Sequence, residues 1–242
     1  MNMDVTNLAA GLFRRLLVTV YPPRCVLCGA AGMDDMDICE HCYRKLPWLE
    51  SACTQCALPL AGHSGDRLKC GRCLQKTPAF DNSLSLFSYE QGVIRLIHQL
   101  KFNEKLVCAR LLGGMLTEAI KQHESALPDC ILPVPLYRTR LRQRGFNQSI
   151  ELARPVARAF RLPLEIQSVI RRRDTHSQTG LNKKQRRHNI RGAFKTVRSL
   201  DYDHVAILDD VVTTTSTVNE LASLIKRAGV RRVDVWSIAR AK

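Results

Sequence analysis

The chain has 242 residues, enough for one large domain or for a small module beside a medium-sized domain. The apolar stretch at 8–21 is interrupted by Arg14 and Arg15 and is too short to span a bilayer, so we expect neither a membrane span nor a secretory signal there, and we expect the protein to be cytoplasmic. The formal net charge is +15, so we expect polyanionic partners.

A short amphipathic helix is predicted for residues 1–23, because Pro22 and Pro23 end the apolar pattern there. A cysteine-rich module follows at 24–76. It contains eight of the ten cysteines as four CxxC pairs, which are Cys25/Cys28, Cys39/Cys42, Cys53/Cys56 and Cys70/Cys73. Since two CxxC turns complete one tetrahedral four-cysteine site, the module is predicted to be a double zinc ribbon with two structural Zn²⁺ ions.

The spacing of the CxxC pairs leaves two pairings open. In the sequential pairing, the first two pairs bind one ion and the last two pairs bind the other. In a cross-braced pairing, the first pair joins the third and the second joins the fourth. Both pairings use the same eight thiolates, and neither leaves an open coordination position, so the role of the zinc is structural.

Residues 77–128 are predicted to form a helical hood segment. A weak alternation of apolar and polar residues at 84–89 predicts a strand. The run VIRLIHQLKF at 93–102 and the longer run at 106–122 have apolar residues at helical spacing, so each predicts a helix. Pro128 ends the connection to the next segment.

Strands and helices alternate over 129–242, which predicts a parallel sheet flanked by helices. The predicted strands are 130–134, 164–170, 205–208 and 233–238. Asn147 is predicted to cap a helix that continues to Phe160, with a kink or break at Pro155. Another helix is predicted between the last two strands and ends at Gly229.

The positive charge is concentrated in one segment of the chain. Residues 137–198 contain 17 Lys or Arg and 3 acidic residues, whereas the other 180 residues contain 20 basic and 19 acidic ones. This concentration favours a polyanionic partner such as a sugar pyrophosphate or single-stranded DNA. Phe146 is the main aromatic residue inside the segment, so binding to nucleic acid should be mainly electrostatic and should weaken steeply with salt.

The run VAILDDVVTTTST at 205–217 predicts a buried strand that ends in two carboxylates and a hydroxyl-rich loop before a helix. Backbone N–H groups, hydroxyls and the positive end of a helix dipole converge on such a loop, and this arrangement binds phosphate. The loop resembles the phosphoribosyl-pyrophosphate (PRPP) loop of type I phosphoribosyltransferases. With LIHQLKF at 96–102, PVP at 133–135 and RGFNQ at 144–148, the chain resembles the ComF/GntX family over nearly its whole length.

This resemblance implies a zinc ribbon joined to a type I phosphoribosyltransferase-like α/β domain at 129–242. It also implies a role in natural transformation or use of external DNA in bacteria, through handling of single strands, with DNA-uptake proteins as further partners. By resemblance, Asp209 and Asp210 hold the ribose hydroxyls of PRPP. The 5′-phosphate is bound by Thr213, Thr214, Thr215, Ser216 and Thr217. The resemblance further implies that the pyrophosphate is contacted by Tyr137, Arg138, Lys183, Lys184, Arg186 and Arg187, and that Mg²⁺ accompanies PRPP if the protein is active.

Thr215 stands where these phosphoribosyltransferase loops usually have glycine. A β-branched residue is unfavourable at positive φ, so the loop either has ordinary dihedrals or is altered. The leading hypothesis is therefore binding of PRPP or a related sugar phosphate, and of single-stranded DNA, without an assigned reaction. The alternatives are an active phosphoribosyltransferase with an unknown acceptor, and a zinc-ribbon interaction scaffold with a vestigial site. No residue is assigned as a catalytic acid or base.

Overall fold

The computed structural model describes residues 22–33, 36–60, 68–123, 126–174 and 190–242. The predicted N-terminal helix lies almost entirely outside these ranges. The chain divides into two compact units, Met1–Leu46 and Pro47–Lys242, and the division falls between the second and third CxxC pairs. Within the described ranges, no helix has both the length and the apolar character that a bilayer crossing requires.

The helices and strands of the described residues follow one another along the chain. The smaller unit contains helix α1 (Glu40–Arg44). The larger unit contains, in order, α2 (Gly71–Gln75), β1 (Asn82–Ser88), α3 (Gln91–Phe102), α4 (Leu106–His123), β2 (Cys130–Pro133), α5 (Arg138–Arg144), α6 (Gln148–Phe160), β3 (Val169–Arg171), β4 (Phe194–Thr196), β5 (His204–Val212), α7 (Ser216–Arg227) and β6 (Arg232–Arg240).

Four strands form a parallel sheet in the order β1-β6-β5-β2, as the alternation of strands and helices predicts. The central strand β5 is apolar on both faces, since Val205, Ala206, Ile207 and Leu208 are all fully buried. Such two-sided burial is typical of parallel sheets covered by helices. The edge strand β1 comes from the segment 77–128, which thus contributes one strand and two helices to the larger unit.

The predicted strand at 164–170 is wrong in both extent and position. Only Val169–Arg171 forms a strand, and it pairs antiparallel with β4 in a separate two-stranded sheet. The Glu165 carboxylate accepts the backbone N–H groups of Gln167 and Ser168 at 2.9 and 2.8 Å, which turns the chain away from the main sheet. Leu164 keeps a single parallel bridge to Ile131 of β2.

Helix α6 begins where the sequence predicts, because the Asn147 side chain accepts the N–H of Ser149 at 3.0 Å. The helix is not broken at Pro155 and continues to Phe160. Pro155 packs instead against Gly113 of α4, where an added Cβ would lie 2.9 Å from the proline Cγ. We attribute the continuity of α6 to this close packing of two helices, which outweighs one missing backbone hydrogen bond.

Candidate functional site

The carboxyl end of β5 extends past the neighbouring strand β2. The pairing of these two strands ends at Pro133 and Leu208, whereas β6 continues beside β5 up to Val212. Asp209 and Asp210 therefore lie beyond the last β2 partner. Ligands of open parallel sheets bind at this edge, so the acidic pair lies where a site is expected.

Asp210 is buried and held in its charged form by two partners from different helices. Lys101 of α3 forms an ion pair with its carboxylate, and the Gln148 side-chain amide donates to Oδ1 at 3.1 Å. Burial opposes ionisation, but Lys101 and Gln148 overcome it, so the pKa of Asp210 is lowered. Asp210 is thus a carboxylate at every physiological pH.

Asp209 is the more weakly compensated member of the acidic pair. The Ser149 hydroxyl donates to its Oδ1 at 3.3 Å, and the backbone N–H of Asp210 donates to the same oxygen at 2.9 Å. Burial, and then the negative charge of Asp210, raise the pKa of Asp209 to about 7. Two adjacent carboxyls with pKa values moved in opposite directions are typical of functional sites.

Three residues of the site were not predicted from the sequence: Lys101, Gln148 and Ser149. Lys101 belongs to the motif LIHQLKF and Gln148 to the motif RGFNQ. Both motifs carried the family resemblance, but the sequence did not indicate what their polar side chains contact. The structure brings these two motifs to the acidic pair, because the first turn of α6 fills the space beyond the end of β2. Asn147 fixes this turn by donating its side-chain N–H to the Val134 carbonyl at 3.0 Å.

The hydroxyl-rich run forms a short loop and the first turn of α7. Thr213 is exposed, whereas the four residues Thr214, Thr215, Ser216 and Thr217 are half-buried, and α7 begins at Ser216. Thr215 has φ 60° and ψ −4°, so the loop keeps the left-handed conformation for which glycine is the usual residue. The sequence left open ordinary dihedrals or an altered loop, and the structure shows instead that Thr215 itself adopts the positive φ.

Replacing Thr215 with glycine is expected to stabilise the protein. A residue other than glycine in this conformation costs about 1–3 kcal/mol, and glycine loses about 0.5–1 kcal/mol more than alanine in chain entropy. The balance is a gain of about 1 kcal/mol, or about 2–4 °C in Tm. Thermal unfolding of Thr215→Gly measures it, with Thr213→Gly as the control. Equal effects of the two substitutions would contradict the assignment of strain to Thr215.

A buried arginine links this loop to the second cysteine group. Arg240, at the end of β6, is 2% exposed and donates from Nε to the Cys56 carbonyl at 2.9 Å. Its Nη1 donates to the Val212 carbonyl at 3.0 Å and also to the carbonyl of Thr213. One guanidinium thus satisfies backbone acceptors of both a CxxC turn and the start of the loop.

Only two of the six residues predicted to bind the pyrophosphate lie within the described ranges. Tyr137 is half-buried at the start of α5, and Arg138 is exposed in its first turn. The other four predicted residues, Lys183, Lys184, Arg186 and Arg187, lie outside the described residues. Arg140 pairs with Asp174 at 3.6 Å, and the Thr139 hydroxyl donates to the same carboxylate at 3.3 Å.

Arg171 is a further cation near the acidic pair that sequence reasoning did not single out. Its guanidinium carbon lies 5.6 Å from the centre of the Phe194 ring. Burial lowers the pKa of Arg171, Arg140 lowers it further, and the charges of Asp209 and Asp174 oppose the shift. The field of Arg171 therefore acts on Asp209, and its position follows from β3, whose place in the fold the sequence did not predict.

The eight paired cysteines form two groups in chain order. Cys25, Cys28, Cys39 and Cys42 form one, and Cys53, Cys56, Cys70 and Cys73 form the other, each with its sulfur atoms within 4.8 Å of one another. Cys28 and Cys39 Sγ are 3.6 Å apart, and Cys56 and Cys70 Sγ are 3.7 Å apart. Sulfurs bound to one tetrahedral zinc at about 2.3 Å lie about 3.8 Å apart, so both groups fit a structural Zn²⁺.

The protein is thus a zinc-ribbon protein with a parallel α/β domain. Residues 16–74 match the model of the double zinc ribbon domain. The chain is 38% identical over 224 residues to the DNA utilization protein YhgH of Salmonella typhi, covering 90% of this chain and 97% of the relative. It is 33% identical over 232 residues to competence protein F of Haemophilus influenzae, with the same two coverages. The chain belongs to the ComF family.

Among solved structures, the purine phosphoribosyltransferase from Pyrococcus horikoshii Ot3 is similar with a TM-score of 0.29 and 17% sequence identity. The similarity covers 55% of this chain and 82% of that enzyme.

Proposed function

We propose that this protein binds a phosphorylated ribose, PRPP or a related sugar phosphate, and single-stranded DNA, and that it acts in DNA uptake. The sugar-phosphate assignment rests on one observation, the position of Asp209 and Asp210 at the end of β5 directly before a hydroxyl-rich loop and the N-terminus of α7. Carboxylate acceptors suit ribose hydroxyls, and a helix N-terminus suits a phosphate.

Each member of the acidic pair has a different part in this proposal. Asp209 accepts hydrogen bonds from the ribose hydroxyls, because it is half-buried and only Ser149 and a backbone N–H donate to it among the contacts described. Asp210 orients this site through Lys101 and Gln148. The residues Thr213 to Thr217 bind the 5′-phosphate, and Mg²⁺ enters with the ligand as the counter-ion of its pyrophosphate.

The proposed role in DNA uptake is supported by the sequence and by the relatives. The segment 137–198 holds nearly all the excess positive charge of the chain, as a polyanion-binding surface requires. Two relatives that the chain matches over most of its length are named for DNA utilization and for competence.

Calorimetry with Mg²⁺–PRPP tests the sugar-phosphate proposal. The wild-type protein is expected to bind, and the double variant Asp209→Asn/Asp210→Asn is expected to bind at least tenfold more weakly, because a neutral amide has one acceptor oxygen in place of two and accepts more weakly than a charged carboxylate. Wild-type binding should also weaken from pH 8 to pH 6, since the pKa of Asp209 is raised to about 7 and its protonated form is a poorer acceptor.

Asp203→Asn is the matched control, because Asp203 lies before the opposite end of β5 and pairs with Arg231. It should bind Mg²⁺–PRPP as the wild type does. No heat with the wild-type protein would contradict the sugar-phosphate proposal and favour the scaffold alternative. Release of pyrophosphate with a nucleobase, an ammonia donor or single-stranded DNA would show that the site also supports transfer.

A further inference from the structure

An exposed aromatic side chain from outside the basic segment is linked to the acidic pair through neighbouring residues. Phe102 ends α3 and is 64% exposed. It follows Lys101 directly in the chain, and Lys101 pairs with Asp210. The last residue of α3 therefore carries a largely open aromatic ring to the edge of the candidate site.

An imidazole ring and a guanidinium group flank the Phe102 ring. The His98 ring, one helical turn earlier, has its centroid 4.7 Å from that of Phe102, with 41° between the planes. The Arg144 guanidinium carbon lies 5.5 Å from the Phe102 centroid, a cation–π distance. We call His98, Phe102 and Arg144 the aromatic stack.

The aromatic stack is connected to Asp210 through a short chain of hydrogen bonds. Arg144 donates from Nη1 to the Gln148 Oε1 at 2.6 Å, and Gln148 donates to Asp210 at 3.1 Å. Burial lowers the pKa of Arg144, while the charge of Asp210 opposes this shift. Arg144 is thus held in one orientation over the ring by a partner that itself belongs to the candidate site.

We propose that the aromatic stack binds a nucleobase of single-stranded DNA. This inference rests on the proposed function, and it assigns the site at which a base, rather than a phosphate, is recognised. A largely exposed ring beside a guanidinium suits a planar heteroaromatic base, which gains stacking and cation–π contact there. The exposed Lys105 and the basic α5 favour a polyanionic ligand over an apolar protein partner.

The stack also explains how a chain with few aromatic residues in its basic segment can hold bases. Phe146, the main aromatic residue of that segment, is half-buried. The tertiary fold supplies Phe102 instead, from a helix more than forty residues earlier in the chain. One base on Phe102 places its own sugar and phosphate beside Arg144 and Lys101, next to the acidic pair.

The test compares three substitutions of Phe102 in binding to a fluorescent thymine oligonucleotide and to an oligonucleotide of the same length made of abasic sites. Wild type should bind the thymine strand more tightly than the abasic strand. Phe102→Ala and Phe102→Leu should bind the thymine strand about tenfold more weakly and the abasic strand unchanged, whereas Phe102→Trp should keep the preference. Ile166→Ala, which removes another exposed apolar side chain at 53% exposure, should change neither affinity.

Salt dependence separates base contact from phosphate contact. Phe102→Ala should leave the slope of log K against log salt unchanged, because no phosphate contact is lost, whereas Arg144→Gln should reduce it. Failure of the wild-type protein to bind either strand would overturn the proposed DNA binding and the stack with it. Equal binding of the thymine strand by wild type and Phe102→Ala would overturn the stack alone.

Discussion

Replacing Cys53 with serine should abolish the cooperative unfolding of the larger unit or lower its midpoint by more than about 15 °C, because zinc in such sites binds with about 10–16 kcal/mol, as much as a whole domain's stability. Cys53 and the other three cysteines of its group lie in one hydrophobic cluster with strand residues such as Val233 and Val235. The second zinc site is therefore part of the core that supports the sheet.

Several contacts join this zinc site to the rest of the larger unit. The Gln55 side chain donates to the carbonyls of Phe80 and Asp81, and Arg240 donates to the Cys56 carbonyl. Loss of the metal would release the CxxC turns that present these groups. The acceptors at the start of the hydroxyl-rich loop share the same arginine, so the loop should lose order together with the site.

Cys28→Ser is the informative comparison, since Cys28 belongs to the first group and to the smaller unit. It should lower the zinc content from two ions to one and leave the larger unit's transition nearly unchanged. Both tryptophans, Trp48 and Trp236, lie in the larger unit, so tryptophan fluorescence follows its unfolding selectively. Cys108→Ala controls for loss of a buried thiol outside the clusters, and equal shifts for Cys28→Ser and Cys53→Ser would contradict the prediction.

Replacing Lys101 with methionine should destabilise the larger unit by about 3 kcal/mol, or about 6–12 °C in Tm. The substitution leaves the Asp210 carboxylate buried without its cation, and an unpaired buried charge is costly. The cost should shrink as the pH falls, because Lys101 lowers the pKa of Asp210, its removal lets that carboxylate take up a proton more readily, and the protonated form needs no cation.

The double variant Lys101→Met/Asp210→Asn tests whether this cost comes from the unpaired charge. It should recover most of the lost stability, since the asparagine is neutral and can still accept from Gln148. Lys105→Met replaces an exposed lysine in the connection between α3 and α4 and should change the midpoint little. A double variant as unstable as Lys101→Met alone would show that Lys101 acts through packing rather than through Asp210.

Most of the secondary structure could be predicted because it depends on local patterns. Helices α3 and α4 follow from apolar residues at helical spacing, and α6 starts at Asn147 because its side chain caps the first turn. The parallel sheet follows from the alternation of strands and helices. The prediction of a strand at 164–170 is wrong because the Glu165 carboxylate turns the backbone there. The apolar pattern of the sequence does not indicate such a turn.

The site shows a similar division. The acidic pair and the hydroxyl loop are contiguous in the chain, so one strand end and one helix start were enough to place them together. Lys101 and Gln148 could not be assigned to Asp210, since they come from α3 and α6, and α6 is placed by contacts with a third helix, such as that of Pro155 with Gly113 of α4.

The sequence by itself thus determined the eight zinc ligands, the fold class, the family and the acidic pair with its loop, because each of these is encoded in residues close together along the chain. Only the tertiary structure decided the grouping of the cysteines, the left-handed Thr215, the different environments of Asp209 and Asp210, and the position of Phe102 against Arg144. These features depend on burial and on distances between segments far apart in the chain, and both are set only when the helices and the sheet pack together.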